Sequence, residues 1–133
     1  MNSAISDEES YQNAFYYFIE AVKVLSEPAE RQCELMGNYN VPWELKDDVS
    51  AGLYLINNPA SKLTEGQRLA IQHLISELNQ IPDSVINAKN TPENNLVAMQ
   101  KPVWEPLRKQ AAELLCTLET ATKSNEKYFK HSG

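Results

Sequence analysis

The spacing of the large apolar side chains between residues 11 and 25 constrains this chain most. Tyr11, Phe15, Phe18, Val22 and Leu25 follow one another at intervals of four, three, four and three. Those intervals gather all of them on one side of an α-helix, whereas a strand would scatter them over both faces. Just ahead of the stripe stands Ser6-Asp7-Glu8-Glu9. It has the form of a capping box, in which the serine accepts a backbone N–H and Glu9 returns the bond. Glu27-Pro28 ends the helix, since proline cannot continue the hydrogen-bond ladder. A long helix with one continuous apolar face needs other elements to cover it.

The remaining segments supply more helices. Pro28 opens a second, shorter helix that reaches Met36, and Gly37 suits the left-handed residue after its end. Pro42 is placed as the first residue of a third helix, with Trp43, Val49, Leu53 and Ile56 on its inner side and Tyr54 and Leu55 widening it. Asn57-Asn58-Pro59 stops that helix. Thr64 to Gln67 forms another capping box, followed by the stripe Ile71, Leu74, Ile75 and Leu78 of a fourth helix, which Ile81-Pro82 ends. Residues 83–101, DSVINAKNTPENNLVAMQK, read as one helical turn and then an ordered loop pinned by Leu96 and Met99. The last helix begins between Val103 and Pro106, with Trp104, Leu107, Ala111, Leu114 and Leu118 as its stripe. No segment alternates with the period of a strand. The predicted fold is all-α: a single-domain helical bundle of four main helices plus one or two short helices. It covers residues 1–133, with 1–5 and 125–133 expected to be flexible.

Composition narrows the functional classes. The longest apolar runs, such as AGLYLI, are far too short to span a bilayer. The polar, acidic start MNSAISDEES resembles neither a signal nor a transit peptide. A cytoplasmic location with no membrane partner is expected, and there Cys33 and Cys116 would stay reduced. Ten of the eighteen acids but only three of the twelve bases fall within residues 1–50. This argues against nucleic acid as a partner, because phosphate binding needs clustered Lys and Arg. An acidic face instead suits a basic protein.

No catalytic motif is present, so no catalytic residue, metal ligand or cofactor is assigned. His73 and His131 are the only histidines. His73 has Glu77 one turn on, which reads as a surface pair, and no Glu-x-x-His repeat of a bundle metal site exists. Cys33 lies between Gln32 and Glu34, a setting that raises a thiol pKa, and Cys116 sits among Leu114, Leu115 and Leu118, read as core. Asp47 and Asp48 are adjacent, so on a helix they point about 100° apart and do not converge.

The acidic sector is what remains. Glu27, Glu30 and Glu34 lie at intervals that place them on one side of the second helix, and Glu44 and Asp48 do the same on the third, with Asp47 beside them. Acids near a helix start favour the macrodipole, which accounts for Glu44 and Asp47. It does not account for Glu34 near a helix end, nor for six acids in residues 27–48 facing only Arg31 and Lys46. Among the aromatics, Tyr11, Phe15, Phe18 and Trp104 are assigned to the core, at least one of Tyr16 and Tyr17 to the surface, and Trp43 to packing in the first turn of its helix. Tyr39 lies in a loop beside carboxylates, the composition of an interface anchor. The candidate partner-binding residues are Glu27, Glu30, Glu34, Tyr39, Glu44, Asp47 and Asp48.

The segment GNYNVPWELKDDVSAGLYLINNP, Gly37 to Pro59, resembles small helical immunity proteins of bacterial contact-dependent growth inhibition and related polymorphic toxin systems. The resemblance implies a chain that binds the C-terminal domain of one cognate toxin, commonly a nuclease, and neutralises it by covering its active site or an adjacent face. The oligomeric state is left open. Two alternatives stand beside it. One is a regulatory or adaptor bundle binding another protein; the other is a small enzyme with a polar pocket around His73 and the 83–101 loop.

Overall fold

The computed structural model describes residues 6–132, and every regular element among them is a helix. In chain order these are α1 (Asp7–Leu25), α2 (Ala29–Leu35), α3 (Val41–Ser50), α4 (Gly52–Asn57), α5 (Glu65–Leu78), α6 (Asp83–Ile86), α7 (Pro92–Met99), α8 (Trp104–Thr117) and α9 (Glu119–Ser132). Residues 1–5 and Gly133, part of the ends expected to be flexible, lie outside the described residues.

The central element is α1, which packs against α8, α3, α4 and α9. Its predicted stripe is buried throughout, with Ile19 and Ala21 widening it. The Ser6 hydroxyl caps it by accepting the Glu9 N–H at 3.0 Å. Its face meets Leu107, Ala111 and Leu114 of α8, Leu45 and Val49 of α3, and Leu55 of α4 in one hydrophobic cluster. The α5 capping box forms in both directions, Gln67 N–H to Thr64 Oγ1 at 3.1 Å and Thr64 N–H to Gln67 Oε1 at 3.0 Å. Its stripe of Ile71, Leu74, Ile75 and Leu78 is fully in the core.

Three segments depart from expectation. The third predicted helix is two, broken at Ala51, where the Tyr54 N–H bonds the Ala51 carbonyl at 3.0 Å in a tighter turn. A Cβ at Gly52 would stand 2.6 Å from Phe18 Cε1, so the missing side chain is what lets α1 approach the corner. The break also shifts the helical phase of the residues that follow it, while Trp43, ahead of it, lies about 200° from both Val41 and Leu45 on α3. Val41, Pro42, Leu45 and Val49 face inward, while Trp43, at 47% exposure, Leu53 and Tyr54 face out. The assignment of Trp43, Leu53 and Tyr54 to the inner side is therefore corrected.

Residues 83–101 are not mainly loop. Thr91 Oγ1 accepts the Asn94 N–H at 3.1 Å and Pro92 opens α7, an N-cap followed by an N1 proline. The tail is likewise helical. Leu118, Ala121, Asn125 and Tyr128 continue the helical spacing, but the stripe carries a buried asparagine, whose Nδ2 donates to Gln12 O at 2.9 Å and Gln12 Oε1 at 2.7 Å. Cys116 is exposed, because it lies two residues, about 200°, from Leu114 on α8.

Arg108 of α8 is buried where several helix ends converge. Its Nε donates to Glu27 O at 3.1 Å, Nη2 to Gln32 Oε1 at 3.0 Å and to Met99 O, and Nη1 to Glu105 Oε1 at 2.6 Å. Gln32 Nε2 in turn donates to Leu25 O at 2.9 Å, and Trp104 Nε1 to Ala98 O at 2.9 Å. Removing the guanidinium strands two buried acceptors, Gln32 Oε1 and Met99 O, and a part-buried one, Glu27 O. Arg108→Ala should therefore cost about 3 kcal/mol or more in urea unfolding. Glu105→Ala, at a side chain 74% exposed, should cost under about 1 kcal/mol. Gly52→Ala should cost about 1–3 kcal/mol by the same measurement, the range for forcing an extra methyl into a packed core.

Candidate functional site

The stretch from Gly37 to Val41 leaves ordinary helical geometry because Gly37, Asn38 and Asn40 all have positive φ, at 70°, 56° and 44°. Asparagine tolerates this region better than most residues, and α7 holds the loop in place. Asn95, buried, donates from Nδ2 to Asn38 O at 3.0 Å and accepts the Val41 N–H at 3.1 Å. Asn90 Oδ1 accepts the Asn40 N–H at 2.8 Å and an Asn95 Nδ2–H at 3.1 Å. Tyr39 is thereby left pointing out, 61% exposed. Sequence reasoning missed Asn90 and Asn95. The signal was Thr91-Pro92, which announces a helix and hence a side for Asn95 to face.

The seven candidate residues do not form one patch. Asp47 and Asp48 line a groove of about 670 Å³ between α1 and the α3–α4 corner, which Leu35 and Met36 also line. Its floor and walls include Ala14, Ala21, Ala51 and Phe18, with Tyr17 and Tyr54 at the surface and Glu20 on the α1 side. Glu30 and Glu34 line a separate hollow of about 490 Å³ against α7, with Cys33, Asn38 and Glu93. Glu44 is half-buried on α3, one turn before Asp48, and lines neither. Glu27 precedes α2, which begins at Ala29, so it is not on the helix face assigned to it; its carbonyl serves Arg108.

Charge compensation also differs between the two sides. Glu34 accepts from Arg31 one turn earlier, which offsets its unfavourable place near a helix end. Glu20 pairs with Lys23 at 3.1 Å. Among the described residues, neither Asp47 nor Asp48 has a basic partner within 4.0 Å. The groove walls strip part of the water from Asp48, and Glu44 and Asp47 repel its charge. Together these push its pKa above the ordinary aspartate value. Burial also raises the Cys33 thiol, with Glu30 adding to it and Arg108 opposing, so Cys33 stays protonated at neutral pH.

Elsewhere, Tyr17 also walls a neighbouring hollow of about 410 Å³ with Tyr16 and Phe129, whose rings meet edge-to-face at 6.0 Å. Both Tyr16 and Tyr17 are exposed. His73 is exposed, and Glu77 accepts from Gln80 Nε2 at 3.2 Å. The hollow at His73 is about 160 Å³, lies between α5 and α8, and includes no residue of 83–101. Among the described residues no three His, Cys, Asp or Glu side chains are grouped to hold a metal ion, and no helix is long and apolar enough to cross a membrane. Comparison with protein-family models, curated proteins and solved structures found no match.

The groove is thus concave, apolar at its base and negatively charged without compensation at one edge. Such a surface can bind a complementary protein, at a standing cost to the free chain. Folded Asp48 holds its proton to higher pH than unfolded Asp48, so stability falls as pH rises through that window and stays lower at neutral pH. Asp48→Asn should accordingly melt above the parent at about pH 7, with the difference closing by about pH 3, where both states are protonated. Thermal melts across pH check this; a difference that grows on acidification would contradict it.

Proposed function

We propose that this chain is a cytoplasmic immunity protein that binds and neutralises a cognate bacterial toxin domain, a nuclease by the charge argument. The observation that carries the reading is the α1/α3–α4 groove, where Asp47 and Asp48 stand uncompensated beside exposed Tyr17 and Tyr54. A nuclease presents a basic face to phosphates, and an acidic concave surface with aromatic anchors can occupy that face in competition with nucleic acid. Retaining like charges that repel one another makes sense where a partner supplies the missing cations. Neutralisation then follows from covering the active site or a basic surface next to it, with no catalytic step by this chain.

The second hollow, with Glu30, Glu34 and Glu93, extends the acidic character around the end of α2. Arg31 already compensates Glu34 there, so the Asp47/Asp48 side is assigned the larger share of encounter and affinity. Tyr39, held outward by the Asn90 and Asn95 contacts, is assigned to the rim.

The test begins with co-expression of the chain and the C-terminal domain of any large secreted protein encoded immediately upstream, scoring survival and co-purification. Asp47→Lys with Asp48→Lys should then slow association about tenfold or more and flatten its salt dependence, the signature of lost electrostatic steering. Glu30→Lys with Glu34→Lys should slow it less. Unchanged rates and salt dependence in both pairs would refute the acidic-face mechanism.

A further inference from the structure

We propose that the α1/α3–α4 groove is an arginine-binding site, and that the partner segment it takes is anchored by an arginine rather than by a lysine or an apolar residue. This rests on the reading of the groove as a protein-binding surface and goes further by naming the side chain that recognition turns on.

Three properties meet in the groove, and each alone is unselective. The free carboxylates of Asp47 and Asp48 would attract any cation. The apolar floor of Ala14, Phe18 and Ala21 would accept any aliphatic chain. Tyr17 and Tyr54, 71% and 45% exposed, would accept any flat or greasy group. A side chain that uses all three needs an apolar stem, a flat tip and a positive charge.

Arginine meets those requirements and lysine meets only part of them. Its guanidinium is planar, less strongly hydrated than an ammonium, and stacks on aromatic faces. It can also engage carboxylate oxygens through two parallel N–H donors. Lysine offers a compact, tightly hydrated charge that gives up more on entering an apolar-walled groove. Glu20 is already engaged by Lys23, which leaves the aspartates as the open acceptors. The volume, about 670 Å³, exceeds one side chain and leaves room for the residues flanking the arginine.

The test uses the intact chain and three capped tripeptides, Leu-Arg-Leu, Leu-Lys-Leu and Leu-citrulline-Leu, followed by amide chemical shifts. The arginine peptide should give saturable shifts centred on Tyr17, Asp47, Asp48 and Tyr54. The lysine peptide should bind about fivefold or more weakly, and neutral citrulline should give no saturable shift. Asp47→Asn with Asp48→Asn should abolish arginine binding while the remaining amide spectrum stays that of the folded chain. Equal binding of the arginine and lysine peptides, shifts centred elsewhere, or no saturation by about 50 mM would overturn the proposal. If arginine selectivity fails while Asp47→Lys with Asp48→Lys still slows toxin association, the toxin-binding reading stands and the arginine assignment falls. Arginine selectivity in a chain that protects against no toxin would separate the two in the opposite sense.

Discussion

The buried guanidinium of Arg108 is the interaction on which the rest of the structure depends. Burying a charge is expensive, and removing its partners is more expensive still. Here the charge stands where α1 and α7 end, and carbonyls at helix C-termini carry partial negative charge and lack intrahelical donors. Glu27 O, Met99 O and Gln32 Oε1 use the guanidinium to satisfy groups that water would otherwise have to reach. One side chain of α8 thus fixes how α1 turns into α2 and where α7 stops. An apolar residue could fill the same volume but could not satisfy those acceptors.

The groove follows from that arrangement. With α2 directed by the Arg108–Gln32 link, Leu35 and Met36 come to line it. With α7 in register, Asn95 holds the backbone on either side of Tyr39 and Asn40, which sets where α3 begins. Gly52 then allows α1 to sit against the α3–α4 corner, bringing Tyr17 of α1 and Tyr54 of α4 to the same groove as the two aspartates. The charges at that edge work against the free fold.

The failures of sequence reading share a physical cause. Stripes made only of apolar residues, as in α1, α5 and α8, were legible because burial of carbon requires no particular partner. α7 and α9 were obscured because Asn95 and Asn125 occupy buried positions, made acceptable only by acceptors and donors far away in sequence. Leu53 was misplaced because one break at Ala51 resets the phase of every later side chain, and Trp43 because it lies two residues, about 200°, from both Val41 and Leu45 on α3. The acids were visible as a composition, but their division between two hollows was not. Spacing along α2 and α3 says which acids share a helix side and nothing about how the two helices are turned relative to each other.

The sequence by itself determined the all-helical class, the long α1 and its apolar face, the capped α5, the core stripe of α8 and the acidity of the first fifty residues. Each of these rests on local periodicity, on capping chemistry or on charge counting, which act within a few residues or need no geometry. Only the tertiary structure decided that Arg108 and Asn95 are organising residues, that Leu53 faces out, and that Asp47 and Asp48 share a groove with Tyr17 and Tyr54 while Glu30 and Glu34 lie elsewhere. Those outcomes depend on which helix ends meet, and no residue's immediate neighbours carry that information.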